Sequence, residues 1–518
     1  MNDMYYASNP ILSGFCPDPS ICRVGEDYYL VTSSFAYFPG VPIFHSKDLA
    51  NWEQIGNVLD RESQLPLGNC RHSEGIYAPT IRYHEGVYYM ITTNVTAGGN
   101  FLVTAEDPKG PWSEPYFLGD EAQGIDPSIF FDEDGTCYYV GTRPNQKGVR
   151  YNGDWQIWVQ ELDLKEMKLV GESKKIWKGA MHHVIWPEGP HLYKKDGYYY
   201  LLHAEGGTSV NHAVSVARSK SVWGPYEGCP NNPILTHRHL GDDYPITAVG
   251  HGDLVEDGCG NWYMVMLGSR RCEGHVNTGR DTFLAKVVWE GDWPVVNPGV
   301  GILEDKVALP GEEKTFLPEK RCWHFYRNEL PKGFMMLRNP QTPVYSLTEK
   351  EGALRVFCRP EKLNGCESAS YLGVRQQNYD CMVSALMEFE TATKGEEAGI
   401  AVLCNEKNHD RLIKCQTEEG SKIKLIRCKD GIEESLGEIG CPEGKVELTL
   451  VLKKQKSAWF VITEKGEKIC VAENIDMTGL STESTGGFTG CTFGMYASSN
   501  GLQNGNYADF YMFGCEEL

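Results

Sequence analysis

Three acidic residues open segments of similar pattern in the first half of the chain: Asp18, Asp126 and Glu188. Carboxylates that are brought into one pocket repel each other, so their pKa values separate. One carboxyl group is then protonated while another is ionised, which is the pairing that cleavage of a glycosidic bond requires. The structural alternative is that each carboxylate caps nearby backbone N–H groups, as Asp before Pro often does in turns. Acidic residues at corresponding positions of three segments favour shared chemistry, because capping alone does not require the match.

Four further residues lie in the same or neighbouring segments and suit the binding of a sugar. His251 opens another copy of the pattern and is predicted to contact sugar hydroxyls or a central ion, although a lone histidine is more often a satisfied interior residue. Arg280 is predicted to bind sugar hydroxyls or to lower the pKa of a carboxylate, with a surface salt bridge as the alternative. Phe35 and Tyr77 are predicted to stack on the sugar ring, with core packing as the alternative. The HExxH, P-loop, GxGxxG and GxSxG motifs are absent, so metalloprotease, nucleotide-binding and serine-hydrolase functions lack support.

The elements that position these residues form a repeated pattern, which occurs five times. Each copy reads as a β-hairpin with a short strand, a turn that contains glycine, and a second strand that begins with aromatic residues. The copies start roughly 50 to 65 residues apart, which is room for four antiparallel strands each. The five copies are DPSICRVGEDYYLVTSS from Asp18, APTIRYHEGVYYMITTN from Ala78, DPSIFFDEDGTCYYVGT from Asp126, EGPHLYKKDGYYYLLHAEG from Glu188 and HGDLVEDGCGNWYMVML from His251.

Five four-stranded units at this spacing predict an all-β fold that begins with a five-bladed β-propeller. The first strand of each blade lines the central channel, so the opening residues of the copies are expected to converge near one point. An open array of hairpins or a large sandwich is the alternative, but neither requires five matched openings.

The residue pattern of the sequence changes after the fifth copy. A stretch rich in Gly and Pro follows, and then segments with alternating apolar and polar residues and frequent turn signals. This pattern predicts an antiparallel β-sandwich. The predicted division is a catalytic propeller at 1–303, a connector at 304–320 and a sandwich at 321–518 that packs on the propeller.

Composition excludes several kinds of partner. The chain has 518 residues with 49 basic and 70 acidic side chains, a formal net charge of -21. Such a surface repels nucleic acid and anionic lipid, so neither nucleic acid nor a membrane is expected as a partner. The N-terminus has no basic and apolar signal, and the 18 cysteines form no Cys-x-x-Cys pair. We therefore expect reduced thiols and a cytoplasmic location rather than a disulfide framework.

Several motifs together resemble glycoside hydrolase family 43, in particular its two-domain β-xylosidases and α-L-arabinofuranosidases, over essentially the whole chain. The motifs are CPDPS at 16–20, GIYAPTIRY at 75–83, GIDPSIFF at 124–131, WPEGPHLYKKDGYYYL at 186–201, VGHGDL at 249–254 and GRDTFL at 279–284. The resemblance implies an inverting mechanism with Asp18 as general base, Glu188 as general acid and Asp126 as the carboxylate that tunes and orients the acid. It also implies that Phe35, His251 and Arg280 line the pocket for the terminal sugar, and that the predicted sandwich is a concanavalin-like jelly roll.

Two departures from the family pattern bear on specificity. Cys16 stands where many relatives have His, and Tyr77 stands where the familiar β-xylosidases have Trp. The expected function is an exo-acting hydrolase that releases a terminal pentose, α-L-arabinofuranose and/or β-D-xylose, from small neutral xylo- or arabinoxylo-oligosaccharides. A strict β-1,4-xylosidase and a non-catalytic sugar-binding propeller are the alternatives. No cofactor is expected to be required and no residue is assigned to a metal, while a structural calcium ion and a homo-oligomer are left open.

Overall fold

The computed structural model describes residues 4–314, 316 and 320–518. Its first part contains five antiparallel four-stranded sheets, each of which is one blade of a propeller. In chain order, the strands of this part are β1 Met4–Ser8, β2 Ser20–Val24, β3 Asp27–Val31, β4 Tyr37–Phe38, β5 Gly40–Ser46, β6 Glu53–Leu59, β7 Ile76–His84, β8 Val87–Asn94, β9 Gly99–Ala105, β10 Tyr116–Phe117, β11 Ile125–Phe131, β12 Cys137–Pro144, β13 Trp155–Asp163, β14 Lys168–Trp177, β15 Glu188–Lys195, β16 Tyr198–Glu205, β17 Ala213–Ser219, β18 Glu227–Gly228, β19 Ile246–Glu256, β20 Trp262–Arg270, β21 Arg280–Glu290, β22 Trp293–Val296 and β23 Lys306–Pro310.

Each blade follows the chain from its inner to its outer strand. The blades are β2-β3-β5-β6, then β7 to β10, β11 to β14, β15 to β18 and β19 to β22. Neighbouring first strands contact each other around the whole ring, including β19 with β2. The predicted five-bladed propeller is therefore confirmed. The glycine of each predicted turn has a positive φ, between 64° and 88°, which L-residues with side chains rarely adopt.

The ring closes through hydrogen bonds between its two ends. The segment before β2 pairs with β21: Leu12 and Thr282 exchange backbone hydrogen bonds, and the Cys16 N–H donates to the Arg280 carbonyl oxygen at 2.9 Å. Strand β1 pairs with β23, which lies inside the segment predicted as a connector. Positions 315 and 317–319 of that prediction lie outside the described residues, and the division at 303 and 321 stays a prediction.

The second part is a sandwich of two eight-stranded antiparallel sheets. Its strands are β24 Cys322–His324, β25 Met335–Leu337, β26 Tyr345–Ser346, β27 Leu354–Phe357, β28 Ser370–Arg375, β29 Cys381–Phe389, β30 Glu397–Asn405, β31 Asn408–Thr417, β32 Gly420–Lys429, β33 Ile432–Gly440, β34 Val446–Lys453, β35 Lys456–Thr463, β36 Lys468–Asp476, β37 Thr492–Ser498 and β38 Tyr507–Glu517. Short 3₁₀-helices occur at Glu62–Gln64, Gly119–Glu121 and Thr478–Leu480, and a one-turn α-helix, α1, at Thr482–Thr485.

The sandwich and the propeller share a sheet and a core. Strand β4, in the β3–β5 connection of the first blade, pairs with β25 and becomes the edge of the sheet β33-β32-β31-β30-β37-β28-β25-β4. One apolar cluster contains Phe15, Phe35 and Tyr37 from the propeller together with Leu337 and Tyr371 from the sandwich. This shared core holds the sandwich against the channel end at which the first strands begin.

Two further features concern the whole molecule. All 18 cysteines lie within the described residues and are free thiols, and most of them are buried. No helix of the described residues is long and apolar enough to cross a membrane.

Candidate active site

A cavity of about 340 Å³ lies where the first strands of the blades begin. All seven residues predicted from the sequence line it: the three acidic residues, His251, Arg280, Phe35 and Tyr77. Seven further residues that the sequence did not single out complete the lining: Ile125, Trp155, Trp186, Gly207, Thr208, His212 and Phe488.

One backbone feature recurs within or just before every inner strand and aims residues at this cavity. In four blades the pairing of the first two strands shifts register at this point. Such bulges bend a strand and redirect its side chains. A residue with left-handed backbone conformation marks the position in each blade: Asp18 (φ 55°), Ala78 (25°), Asp126 (52°), Gly189 (56°) and His251 (50°).

The prediction that the three acidic residues hold corresponding positions is wrong for Glu188. The corresponding residue of the fourth blade is Gly189, where a Cβ atom would lie 2.8 Å from Nε2 of His251. A side chain is therefore excluded there, and the carboxyl group enters the pocket from the residue before. In the second blade the residue before the left-handed position is Tyr77, which lines the pocket in the same way.

Asp18 is held as an ionised carboxylate. Its Oδ2 accepts a hydrogen bond from the Ser33 hydroxyl at 2.6 Å, and its Oδ1 accepts one from Nη1 of Arg280 at 2.9 Å. Nδ1 of His251 lies 3.6 Å from the same Oδ1. Burial alone would raise the pKa of Asp18, but Arg280, His251 and Ser33 outweigh it, so the pKa lies below its usual value.

The pKa values of Asp126 and Glu188 are shifted upward. Burial raises the pKa of Asp126 to about 6; the charge of Asp18 adds to this rise, and His251 opposes it. Its Oδ2 accepts the Gly189 N–H at 3.0 Å. Burial, then Asp126, then Asp18 raise the pKa of Glu188 well above its usual value, with Arg280 opposing. Because the larger shift falls on Glu188, the pocket holds a protonated Glu188 beside an ionised Asp18.

Arg280 is a buried residue of the pocket and not a surface salt bridge. Besides Asp18, its guanidinium donates to the Thr208 hydroxyl and to the Phe488 carbonyl oxygen, both at 3.3 Å. Its Nε is buried and has no partner among the described residues.

Comparison with known proteins identifies the family to which the chain belongs. The sequence model for glycosyl hydrolases family 43 matches residues 7–294, which is the propeller. The chain belongs to glycosyl hydrolases family 43. A second model, for the β-xylosidase C-terminal concanavalin A-like domain, matches residues 322–516 and confirms the predicted sandwich type. The protein is accordingly a glycosidase.

The relatives of this family 43 glycosidase match it along its length. A xylosidase/arabinosidase of Butyrivibrio fibrisolvens is 56% identical over 99% of this chain and 100% of that protein. A non-reducing end α-L-arabinofuranosidase of Bacteroides ovatus is 38% identical over 98% of this chain and 94% of that protein. Among solved structures, a xylan β-1,4-xylosidase of Bacillus halodurans has a TM-score of 0.93 and 36% identity over 99% of this chain and 100% of that one.

An aromatic wall closes one side of the pocket of this glycosidase. The Phe35 and Tyr77 rings meet edge to face with centroids 5.5 Å apart, and Phe488 stacks on Phe35 at 6.3 Å. Phe488 comes from the sandwich, in the segment between α1 and β37, where its N–H donates to the Ser73 hydroxyl. No local signal in the sequence marks Phe488, because its role depends on how the two parts of the chain pack.

Phe488→Ala is expected to lower kcat/KM by about tenfold while the enzyme remains folded, because one aromatic surface beside the sugar is lost. Steady-state kinetics on an aryl pentoside and thermal denaturation test this. Phe460→Ala is the control, since Phe460 lies on β35 and contacts Lys468 away from the pocket. An unchanged kcat/KM for Phe488→Ala would remove Phe488 from the sugar site.

The Tyr77 hydroxyl points out of the wall. It donates to the Ser73 carbonyl oxygen at 2.7 Å, and burial raises the pKa of Tyr77 to about 12. The hydrogen of this hydroxyl is thus already used within the protein.

Tyr77→Phe is therefore expected to leave the ratio of xylosidase to arabinofuranosidase activity unchanged and to cost about 1 kcal/mol of stability. The ratio is measured on the two p-nitrophenyl glycosides and the stability by chemical denaturation. Tyr83→Phe, at an exposed tyrosine of the same blade, is the control for both measurements. A shift of the ratio by more than about tenfold, which is 1.4 kcal/mol, would show that the hydroxyl contacts the sugar.

The pocket is also lined by two tryptophans that the sequence analysis missed. Trp155 and Trp186 have ring centroids 5.4 Å apart, and Trp186 is two residues before Glu188. Gly153 and Gly207 lie against the Trp186 ring, which a Cβ atom at either position would crowd. The proximity of Trp186 to an acidic residue was the available sequence signal.

A buried ion pair fills the channel near this pocket. Arg82 donates to both oxygens of Asp253, at 2.8 and 3.0 Å, and the Ser20 and Tyr193 hydroxyls donate to the same carboxylate. Burial would raise the pKa of Asp253, but Arg82 outweighs it and lowers the pKa. In the part of the chain that the structure describes, no three His, Cys, Asp or Glu side chains form a cluster that could hold a metal. The Arg82 guanidinium neutralises the Asp253 carboxylate.

Proposed function

We propose that this glycosidase releases a terminal α-L-arabinofuranose and/or β-D-xylose from neutral xylo- or arabinoxylo-oligosaccharides, with inversion of the anomeric configuration. The observation that carries the acid–base cleavage is the opposite shift of the pKa values of two carboxyl groups in one pocket, with Asp18 ionised and Glu188 protonated. Inversion is the mechanism that the resemblance of the motifs to family 43 implies. Relatives named xylosidase/arabinosidase and α-L-arabinofuranosidase support a pentose as the sugar released.

The size and walls of the pocket support action at chain ends. Its volume of about 340 Å³ is near the lower end of the usual range for ligand sites, which suits one sugar ring and a water molecule. Phe488 closes it from the sandwich side. The pocket is lined by three carboxyl groups and one guanidinium. The binding of a neutral oligosaccharide does not depend on the net charge of these groups.

The reaction follows from the two protonation states. Asp18 takes a proton from a water molecule as the water oxygen attacks the anomeric carbon. Glu188 gives its proton to the glycosidic oxygen as the bond from that oxygen to the anomeric carbon breaks. Asp126 keeps Glu188 protonated by its negative charge and fixes the adjacent backbone through the Gly189 N–H. Arg280 holds Asp18 through the hydrogen bond from its Nη1.

The test is proton NMR of the first sugar released from the β-D-xyloside and the α-L-arabinofuranoside, in buffer with and without EDTA. We expect turnover of at least one pentoside, a first product of inverted configuration, and the same rate with EDTA because the reaction needs no metal ion. A retained configuration would overturn the inverting mechanism. Turnover of neither pentoside would overturn the substrate assignment, and loss of activity in EDTA would overturn the metal-free proposal.

A further inference from the structure

His212 is a buried histidine of the pocket that has no part in the mechanism above. Its Nδ1 lies 2.9 Å from the Ala248 carbonyl oxygen, which can only accept a hydrogen bond, so Nδ1 carries the hydrogen. The ring lies against Gly250, where a Cβ atom would come within 2.4 Å of it. The ring is therefore fixed in orientation and in tautomer.

The other ring nitrogen of His212 is an acceptor without a donor. Burial lowers the pKa of His212 to about 4, and His251 and Arg280 contribute to the fall, so the ring is neutral near pH 7. Its Nε2 then carries a lone pair. This atom is buried and has no hydrogen-bond partner among the described residues. A buried acceptor in this state is unfavourable unless a neighbouring group supplies a proton.

Glu188 is the neighbour that can supply one. Its Oε1 lies 3.9 Å from Nε2 of His212, about 1 Å beyond hydrogen-bond length, so the bond requires the carboxyl group to rotate toward the ring. We propose that His212 is a positioning residue that accepts a hydrogen bond from the protonated carboxyl group of Glu188, and so holds that proton and its orientation until the leaving oxygen arrives. The proposal rests on the assignment of Glu188 as general acid.

The charged groups around Glu188 shift its pKa in opposite directions. The carboxylates of Asp126 and Asp18 favour the protonated acid, and Arg280 opposes them. His251 packs beside Gly189, the residue next to Glu188. A hydrogen bond to neutral His212 exists only while Glu188 keeps its proton, so it adds to the effect of the carboxylates and delays ionisation to higher pH.

The test compares His212→Phe with His212→Gln by pH profiles of kcat/KM on an alkyl pentoside and a 2,4-dinitrophenyl pentoside. Phe keeps a ring but cannot accept the bond, while Gln places an amide oxygen near the position of Nε2. We expect Phe to move the basic limb on the alkyl substrate down by about one pH unit, since one hydrogen bond to the neutral form is of that size. At pH values above that limb, kcat/KM of the Phe variant on the alkyl substrate should be about tenfold below that of the wild type. Its kcat/KM on the dinitrophenyl substrate should change little, and the Gln variant should show the limb at its wild-type position.

Two further variants keep the result decisive. In His212→Asn, the amide N–H can still donate to the Ala248 carbonyl oxygen, but the side chain is too short to reach Glu188, so it should behave like Phe even if the Phe variant fails to fold. His237→Gln is the matched control, because His237 is buried and bonded to the Ile246 carbonyl oxygen outside the pocket. An unmoved basic limb in the Asn variant, or equal losses on both substrates, would overturn the proposal. Absence of all pentosidase activity in the wild type would instead overturn the proposed function.

Discussion

Asp18→Asn is expected to lower kcat/KM by about 10⁴-fold on alkyl and dinitrophenyl pentosides alike. The water must lose a proton whatever the leaving group, so an activated substrate does not compensate for the lost base. Asn preserves the shape of the side chain but removes the negative charge that Arg280 and His251 face. Because the pKa of Asp18 is lowered, the wild type should keep its base ionised down to mildly acidic pH.

Asp132→Asn is the matched control for this variant. Asp132 is a buried carboxylate of the same propeller that accepts bonds from Lys194 and Tyr199 at 2.6 Å, outside the pocket. We expect this control to retain the wild-type kcat/KM, with thermal denaturation reporting any loss of stability. A loss of less than about tenfold for Asp18→Asn would be too small for a general base and would remove Asp18 from that role.

Glu188→Gln is expected to separate substrates by their leaving groups. On an alkyl pentoside or an oligosaccharide we expect a loss of about 10³-fold, because the departing oxygen then leaves without a proton. On the dinitrophenyl pentoside, whose leaving group is stable as an anion, the loss should be under about tenfold. The basic limb of the pH profile should also disappear, since the group whose raised pKa produces it is gone.

Glu205→Gln tests whether any buried glutamate of that blade has the same effect. Glu205 is buried, accepts a bond from the Ala180 N–H at 2.9 Å and lies 3.2 Å from Nε2 of His203. It does not line the cavity, so losses in this variant should be equal on both substrates. If Glu188→Gln also loses equally on both, Glu188 is not the acid that protonates the leaving oxygen.

The propeller could be predicted because its units are local. Each hairpin is specified by residues close in sequence, such as the turn at Glu85-Gly86, where both residues have positive φ, and the Tyr-Tyr pairs that follow such turns. Five similar hairpins can bury their apolar faces only against each other, and this makes the closed ring predictable. Once a closed ring is assumed, the first residues of the copies must converge. The sequence therefore predicts that Asp18, Asp126 and His251 lie close together.

The remaining parts of the site depend on contacts between distant residues. Glu188 is displaced by one residue because His251 of the next blade occupies the space that a side chain at Gly189 would need. Asp18 meets Arg280, 262 positions away, only because the ends of the ring are joined by hydrogen bonds. Phe488 meets Tyr77 only because β4 pairs with β25 and fixes the sandwich over the cavity.

The sequence alone therefore determined the repeat, the fold class and the types of residue that carry the chemistry, since these are written in short-range patterns. The tertiary structure decided the protonation of each carboxyl group, because pKa values depend on burial and on charges from other blades. It also decided which ring nitrogen of His212 carries the lone pair. The carbonyl oxygen of Ala248, 36 positions away, accepts the hydrogen of Nδ1, so the lone pair is on Nε2. Hydrogen bonds and desolvation act over a few ångströms in space, and a linear sequence does not show which distant residues come that close.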